Sequence, residues 1–281
     1  MPLPYYVTQA EIAQTVADAL REDIGSGDVT ADLIPDHTYS VATVITREEM
    51  ILCGVDWFNE VFRQVDPSVK VTWLFKDTDR VPANATLCRI EGKARSLLTA
   101  ERSGLNFVQT LAGTATQTHH YVQLIAHTRC KVLDTRKTLP NLRNAQKYAV
   151  LCGGGSNHRI GLYDRVLIKE NHIIAAGSIT AAIQQARRLH PSIPVEVETE
   201  NLTEVAEAIE AKADIIMVDD FSLADMREAV VFTNDRVPLE ASGGVNQTTI
   251  VAIAETGVDF VSIGSITKHL RAIDLSMRFQ S

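Results

Sequence analysis

The chain has few cysteines and no pairing pattern among them: Cys53, Cys88, Cys130 and Cys152 are scattered, without a CxxC or a Cys/His zinc spacing. That argues against a disulfide scaffold or zinc module and reads as reduced core thiols in a cytoplasmic protein. No apolar run reaches the ~18 residues needed to cross a bilayer, and the N-terminus lacks the charged-then-apolar form of a signal peptide. Positive charge is short as well. The 27 Lys and Arg against 35 Asp and Glu leave a net charge of −8, which argues against broad nucleic-acid or anionic-membrane binding. No GxGxxG or P-loop glycine pattern follows an apolar run, which weakens the dinucleotide and P-loop readings. What is present is a chain of 281 residues, 45% hydrophobic, enough for a large core in one domain or two.

The pattern changes near residue 115. Before it, 41–46, 69–75 and 85–92 read as strands and Gln9–Glu22 and Val55–Gln64 as helices, an α+β segment. A helix from Ser96 onward follows, with a break expected at Gly113. After residue 130, short apolar runs at 131–134, 165–169, 194–198, 214–219, 237–242 and 259–264 alternate with helical stretches such as Ile179–Leu189, Leu202–Lys212 and Gln247–Thr256. Repeated βα units of this kind predict a (β/α) barrel with fewer strands than a full one, an open doubly wound sheet being the alternative.

Between Asp134 and His172 the otherwise acidic chain concentrates seven Lys or Arg and two His against three carboxylates. Such a cluster, interleaved with Gly, Asn, Thr and Ser, predicts a pocket for a small, multiply charged anion. The strand ends carry groups capable of chemistry: Asp134 through Lys137, Lys169, Glu198, Asp219, Ser242 and Gly243, and Gly264. Any one of these is ordinary loop chemistry, but together they predict one rim at the carboxyl ends of the strands. Arg136, Lys137, His158, Arg159 and Lys169 form a cationic floor for an acid. Glu198 and Asp219 either share a hard cation such as Mg²⁺ or accept hydrogen bonds from sugar hydroxyls. The glycines at 243, 244 and 264 expose backbone N–H groups where phosphate commonly binds, although each pair alone would read as a tight turn.

The segments TAERSGLNFVQTLAGTAT, DTRKTLPNLR, GGGSNHRIGLYDRVLIKENH, VEVE, IIMVDD, LEASGG and VDFVSIGSITKH, in order along nearly the whole chain, resemble the quinolinate phosphoribosyltransferase family. The resemblance implies an α/β fold: an N-terminal α/β sandwich over 1–114, completed by a C-terminal helix at 266–281, and an incomplete barrel over 115–265. It implies reaction of quinolinate with 5-phosphoribosyl 1-diphosphate to give nicotinate mononucleotide, diphosphate and CO₂, with Mg²⁺. It further implies that Arg136, Arg159 and Lys169 hold the quinolinate carboxylates, with Thr135, Lys137 and His158 close by. Glu198 and Asp219 would face ribose and metal. Ser242, Gly243, Gly244, Gly264, Ser265 and Ile266 would meet the phosphate groups, and Lys137, Lys169, Glu198 and Asp219 would serve catalysis. Arg102, which alone would read as a surface salt-bridge partner, is implied to enter a partner's site in a homodimer. The chain departs from the family pattern at Asn141, Asp220 and Ser103-Gly104. Two rival readings remain at this point: a sibling enzyme of the same fold acting on another acceptor, and a non-catalytic phosphometabolite sensor.

Overall fold

The computed structural model describes residues 1–280, which divide into two compact units. The first holds Met1–His119, Thr138–Gly154 and the stretch from Thr267; the second holds His120–Lys137 and Gly155–Ile266.

In the first unit, helix α1 (Gln9–Ile24) starts at a capping box in which Thr8 and Glu11 satisfy each other's backbone N–H groups. Strand β1 (Tyr39–Thr46) is followed by β2 (Met50–Ile51), α2 (Val55–Val65), β3 (Lys70–Trp73), β4 (Arg80–Val81) and β5 (Thr86–Lys93). Trp57, Phe58, Val61 and Phe62 recur on one face of α2 and are buried, each contributing roughly 1.5–3 kcal/mol through area removed from water. β2 pairs with β4 in a small ribbon. Helix α3 (Ala94–Leu124) runs 31 residues without the expected break at Gly113. That glycine serves close packing instead: a Cβ there would lie 2.3 Å from the Arg271 carbonyl oxygen.

Two further elements complete this unit. Helix α4 (Arg143–Cys152) was expected with the barrel, but its polar side chains tie it to the first unit. Asn144 donates to the Tyr6 carbonyl, Gln146 to the Thr267 carbonyl, and the Tyr148 hydroxyl to Asp77 at 2.8 Å. The expected C-terminal helix is a correction. Only its beginning is helical, and Leu275–Phe279 is a strand (β12 below) lying antiparallel along β1, with Val44 opposite Met277. The residues alternate as an edge strand requires, and the open hydrogen-bonding edge of β1 selects that conformation. The sheet order is β12-β1-β5-β3.

The second unit alternates strand and helix: β6 (Lys131–Leu133), β7 (Val166–Ile168), α5 (Glu170–Ala176), α6 (Ile179–Leu189), β8 (Val195–Thr199), α7 (Leu202–Glu210), β9 (Ile215–Asp219), α8 (Leu223–Thr233), β10 (Leu239–Ser242), α9 (Ile250–Ala254), β11 (Phe260–Ser262) and α10 (Ser265–Lys268). The strands form one parallel sheet in the order β6-β11-β10-β9-β8-β7. Among the described residues no ladder joins β7 back to β6, so this is an incomplete barrel. No helix is long and apolar enough to cross a membrane among those residues.

Candidate active site

Side chains along a strand alternate between faces, so Glu196 and Glu198 share one face of β8, Met217 and Asp219 one of β9, and Glu240 and Ser242 one of β10. The register sets Asp219 opposite Ser242 and Glu198 opposite Met217. A cavity of ≈ 360 Å³ opens there, lined by Thr135, Arg136, Lys137, His158, Arg159, Leu167, Lys169, Glu198, Met217, Asp219, Glu240, Ser242 and Ser262. Each strand of the sheet delivers part of the lining at or just past its carboxyl end, where parallel β/α folds place their reactive groups, while Leu167, Met217 and Glu240 reach it from within their strands.

The cationic side of the cavity is hung on β6. The buried Asp134 carboxylate accepts the Asn157 amide at 2.6 Å and the His158 backbone N–H at 2.9 Å, pinning the 155–160 loop against the strand. Arg136 and Arg159 thereby line the same cavity. Burial lowers the Arg159 pKa, and the neighbouring charge of Arg136 lowers it further. Arg136 Nε is buried with no hydrogen-bond partner in the protein. Crowded guanidinium groups with an orphaned donor fit an anion that supplies the missing acceptors. Across the cavity Lys169 and Glu198, from adjacent strands, form an ion pair.

Glu198 and Asp219 bring oxygen donors to the same cavity without a thiolate, a donor set suited to a hard cation that keeps water and substrate phosphate ligands. His158 adds no ligand, because both of its ring nitrogens are engaged. Nδ1 accepts the Arg159 N–H at 2.7 Å, and Nε2 lies 3.1 Å from Glu196. The residues therefore fit Mg²⁺ held jointly with a substrate.

Beneath this rim is a buried polar layer that sequence reading did not single out. Arg165 Nη1 contacts Glu196 at 3.0 Å, and Glu240 Oε2 lies 3.5 Å from His158 Nε2. Burial works against the Glu196 charge, but His158 and Arg165 hold its carboxyl below the ordinary range. Burial and the Glu196 charge push the Glu240 carboxyl well above that range. The available signal was a glutamate in the middle of VEVE and of PLEAS, where a parallel strand covered on both faces would run apolar.

The chain that builds this cavity has relatives among known proteins. A family model described as the C-terminal domain of quinolinate phosphoribosyl transferase matches residues 114–278, and one for the N-terminal domain matches 28–112. The chain belongs to the quinolinate phosphoribosyltransferase family. The structure of the nicotinate-nucleotide pyrophosphorylase from Francisella tularensis is 53% identical, covers 98% of both chains and superposes with a TM-score of 0.96. NadC from Streptococcus pyogenes is 40% identical over 99% of this chain and 100% of its own, with a TM-score of 0.95. A probable nicotinate-nucleotide pyrophosphorylase [carboxylating] from Synechocystis is 41% identical over 263 residues, 92% of this chain and 89% of the relative.

The residues carried over from the phosphoribosyltransferase motifs divide into two sets. Thr135, Arg136, Lys137, His158, Arg159, Lys169, Glu198, Asp219 and Ser242 line the cavity together. Gly243, Gly244, Gly264, Ser265, Ile266 and Arg102 are not among its lining. Gly243 and Gly244 have positive φ of 92° and 59°, and a Cβ on Gly243 would fall 1.9 Å from Asp220 Oδ1. The Ile266 side chain is core, 1% exposed. Arg102 is exposed on α3, in the first unit. Two departures from the family pattern find a backbone reason. Asn141 and Asp220 adopt φ of 61° and 54°, a conformation that Asn and Asp tolerate better than other side chains.

Proposed function

We propose that this chain transfers the phosphoribosyl group of 5-phosphoribosyl 1-diphosphate to the ring nitrogen of quinolinate, giving nicotinate mononucleotide, diphosphate and CO₂. The observation that carries this is one cavity in which Arg136, Arg159 and Lys169 face Glu198 and Asp219. The cations suit the two carboxylates of the acceptor, and the carboxylates suit a sugar that gains positive charge as its leaving group departs.

The chain's own groups account for each step. Arg136 and Arg159 orient the dicarboxylate so that its ring nitrogen points at the anomeric carbon. Glu198 and Asp219 lie where positive charge develops on the ribose, while Lys137 and Lys169 meet the departing anion. Ser242 and the 243–244 turn offer donors to phosphate, as does the start of α10 after Gly264. The attacking nitrogen carries no proton, so no side chain need act as a base. Once alkylated, that nitrogen stabilises the electron pair left on the adjacent ring carbon as its carboxylate departs as CO₂, and that carbon then takes up a proton from solvent. Bound at Glu198 and Asp219, Mg²⁺ would neutralise charge on the diphosphate.

In this reading the working unit is a homodimer, with Arg102 of one protomer completing the site of the other. The exposed position of Arg102 supports it. Four buried free thiols are in keeping with a reducing cytoplasm. The test is direct: CO₂ release and nicotinate mononucleotide formation on mixing both substrates with Mg²⁺, with nicotinate in place of quinolinate as the comparison. Turnover of nicotinate alone would overturn the assignment.

A further inference from the structure

The layer under the cavity holds two carboxyl groups and too few cations for both. Glu196 and Glu240 are each 0% exposed. Arg165 is committed to Glu196, and His158 Nδ1 accepts the Arg159 backbone N–H, which leaves Nε2 as the ring's one donor, nearer Glu196 than Glu240. Glu196 Oε1 and both Glu240 oxygens lack a well-formed hydrogen bond, the nearest donors to Glu240 being the Ser262 hydroxyl and His158 Nε2 at 3.5 Å. Two adjacent carboxylates in that state would be left with orphaned acceptors and an uncompensated buried charge. A proton on Glu240 removes both deficits, since Glu240 then donates within its pair and the layer becomes neutral.

We propose that Glu240 stands in the cavity floor as an uncharged carboxylic acid, and that its neutrality is what lets the rim above hold a dianion. Were Glu240 ionised, a bare negative charge would lie under the place where two substrate carboxylates gather. Glu240 is thus a positioning residue, acting through Glu196 and His158 on Arg159. The second half of the proposal rests on the quinolinate reading, whereas the first concerns the protein alone.

The test has two arms. Difference infrared spectra of the ligand-free protein, parent minus Glu240→Gln, should show a carboxylic acid carbonyl band that shifts in D₂O. Labelling glutamate carboxyls with ¹³C identifies the band as glutamate in the parent, should the variant fail to fold. In the kinetic arm, Glu240→Leu should raise the KM for quinolinate on the order of tenfold or more, and Glu240→Gln should recover to within about threefold of the parent, because an amide keeps the shape and a donor. Glu196→Gln should show no such recovery. Absence of the acid band, or a Gln variant as impaired as the Leu variant, overturns the proposal. If no variant or parent makes nicotinate mononucleotide, the activity reading falls while the infrared arm still decides the state of Glu240.

Discussion

Gly264 and Lys137 pack so closely that a Cβ added at Gly264 would lie 2.8 Å from Lys137 Cδ. The neighbouring atom is the far part of a flexible side chain, so an alanine can be housed, but only by moving the Lys137 ammonium. Gly264→Ala is therefore expected to melt close to the parent while losing about tenfold or more in kcat, as displacement of a positioned charge implies. A variant with parental kcat would show that Lys137 is not needed where it stands.

In the proposed mechanism Glu198 and Asp219 act on charge that appears only as the leaving group departs. Glu198→Gln and Asp219→Asn should each lower kcat by roughly 10²–10³ with a much smaller change in KM for quinolinate. An effect confined to KM would reassign both residues to ground-state binding.

The proposed sharing of Arg102 between protomers can be tested by mixing the two corresponding variants. Arg102→Ala and Arg136→Ala, unfolded and refolded together, should recover about a quarter of parental activity, because half of randomly assorted dimers carry one site with both arginines. No recovery would mean that each chain's site is self-contained.

Tyr148 supplies the hydroxyl that Asp77 accepts in the first unit. Burial raises the Asp77 pKa, while the Tyr148 hydrogen bond opposes that rise. A carboxyl raised in the folded state binds its proton more tightly there than in the unfolded chain. The resulting loss of stability accrues as pH climbs from the unfolded value, about 4, through the folded one. Removing the hydroxyl lifts the folded value further. Tyr148→Phe should thus cost about 1–3 kcal/mol at neutral pH and distinctly less near pH 4, measured by urea denaturation. An equal cost at both pH values would mean that Asp77 does not ionise between them.

Local pattern made the strands of the second unit and its rim residues legible, because a polar group closing an apolar run declares both the strand end and its chemistry. What stayed hidden depends on partners distant in sequence. Glu196 reads as one more residue of VEVE until Arg165, 31 positions away, is seen against it. The terminal segment is a strand because β1 offers it an open edge, and its own five residues are too few to declare that. Gly113 looks like a helix breaker until the Arg271 carbonyl is found where a methyl group would sit. The same holds for α4, whose partners Tyr6, Asp77 and Thr267 come from three separate stretches.

That arrangement of α4 bears on how the polypeptide can be cut. The chain enters the second unit at His120, leaves it after Lys137 for seventeen residues, and returns at Gly155. A fragment beginning near residue 114 would carry α4 away from Tyr6, Glu11 and Asp77, exposing a helix in which seven of ten residues are normally hidden. The detour acts as a stitch: neither half can be excised by a single scission without unpicking the other.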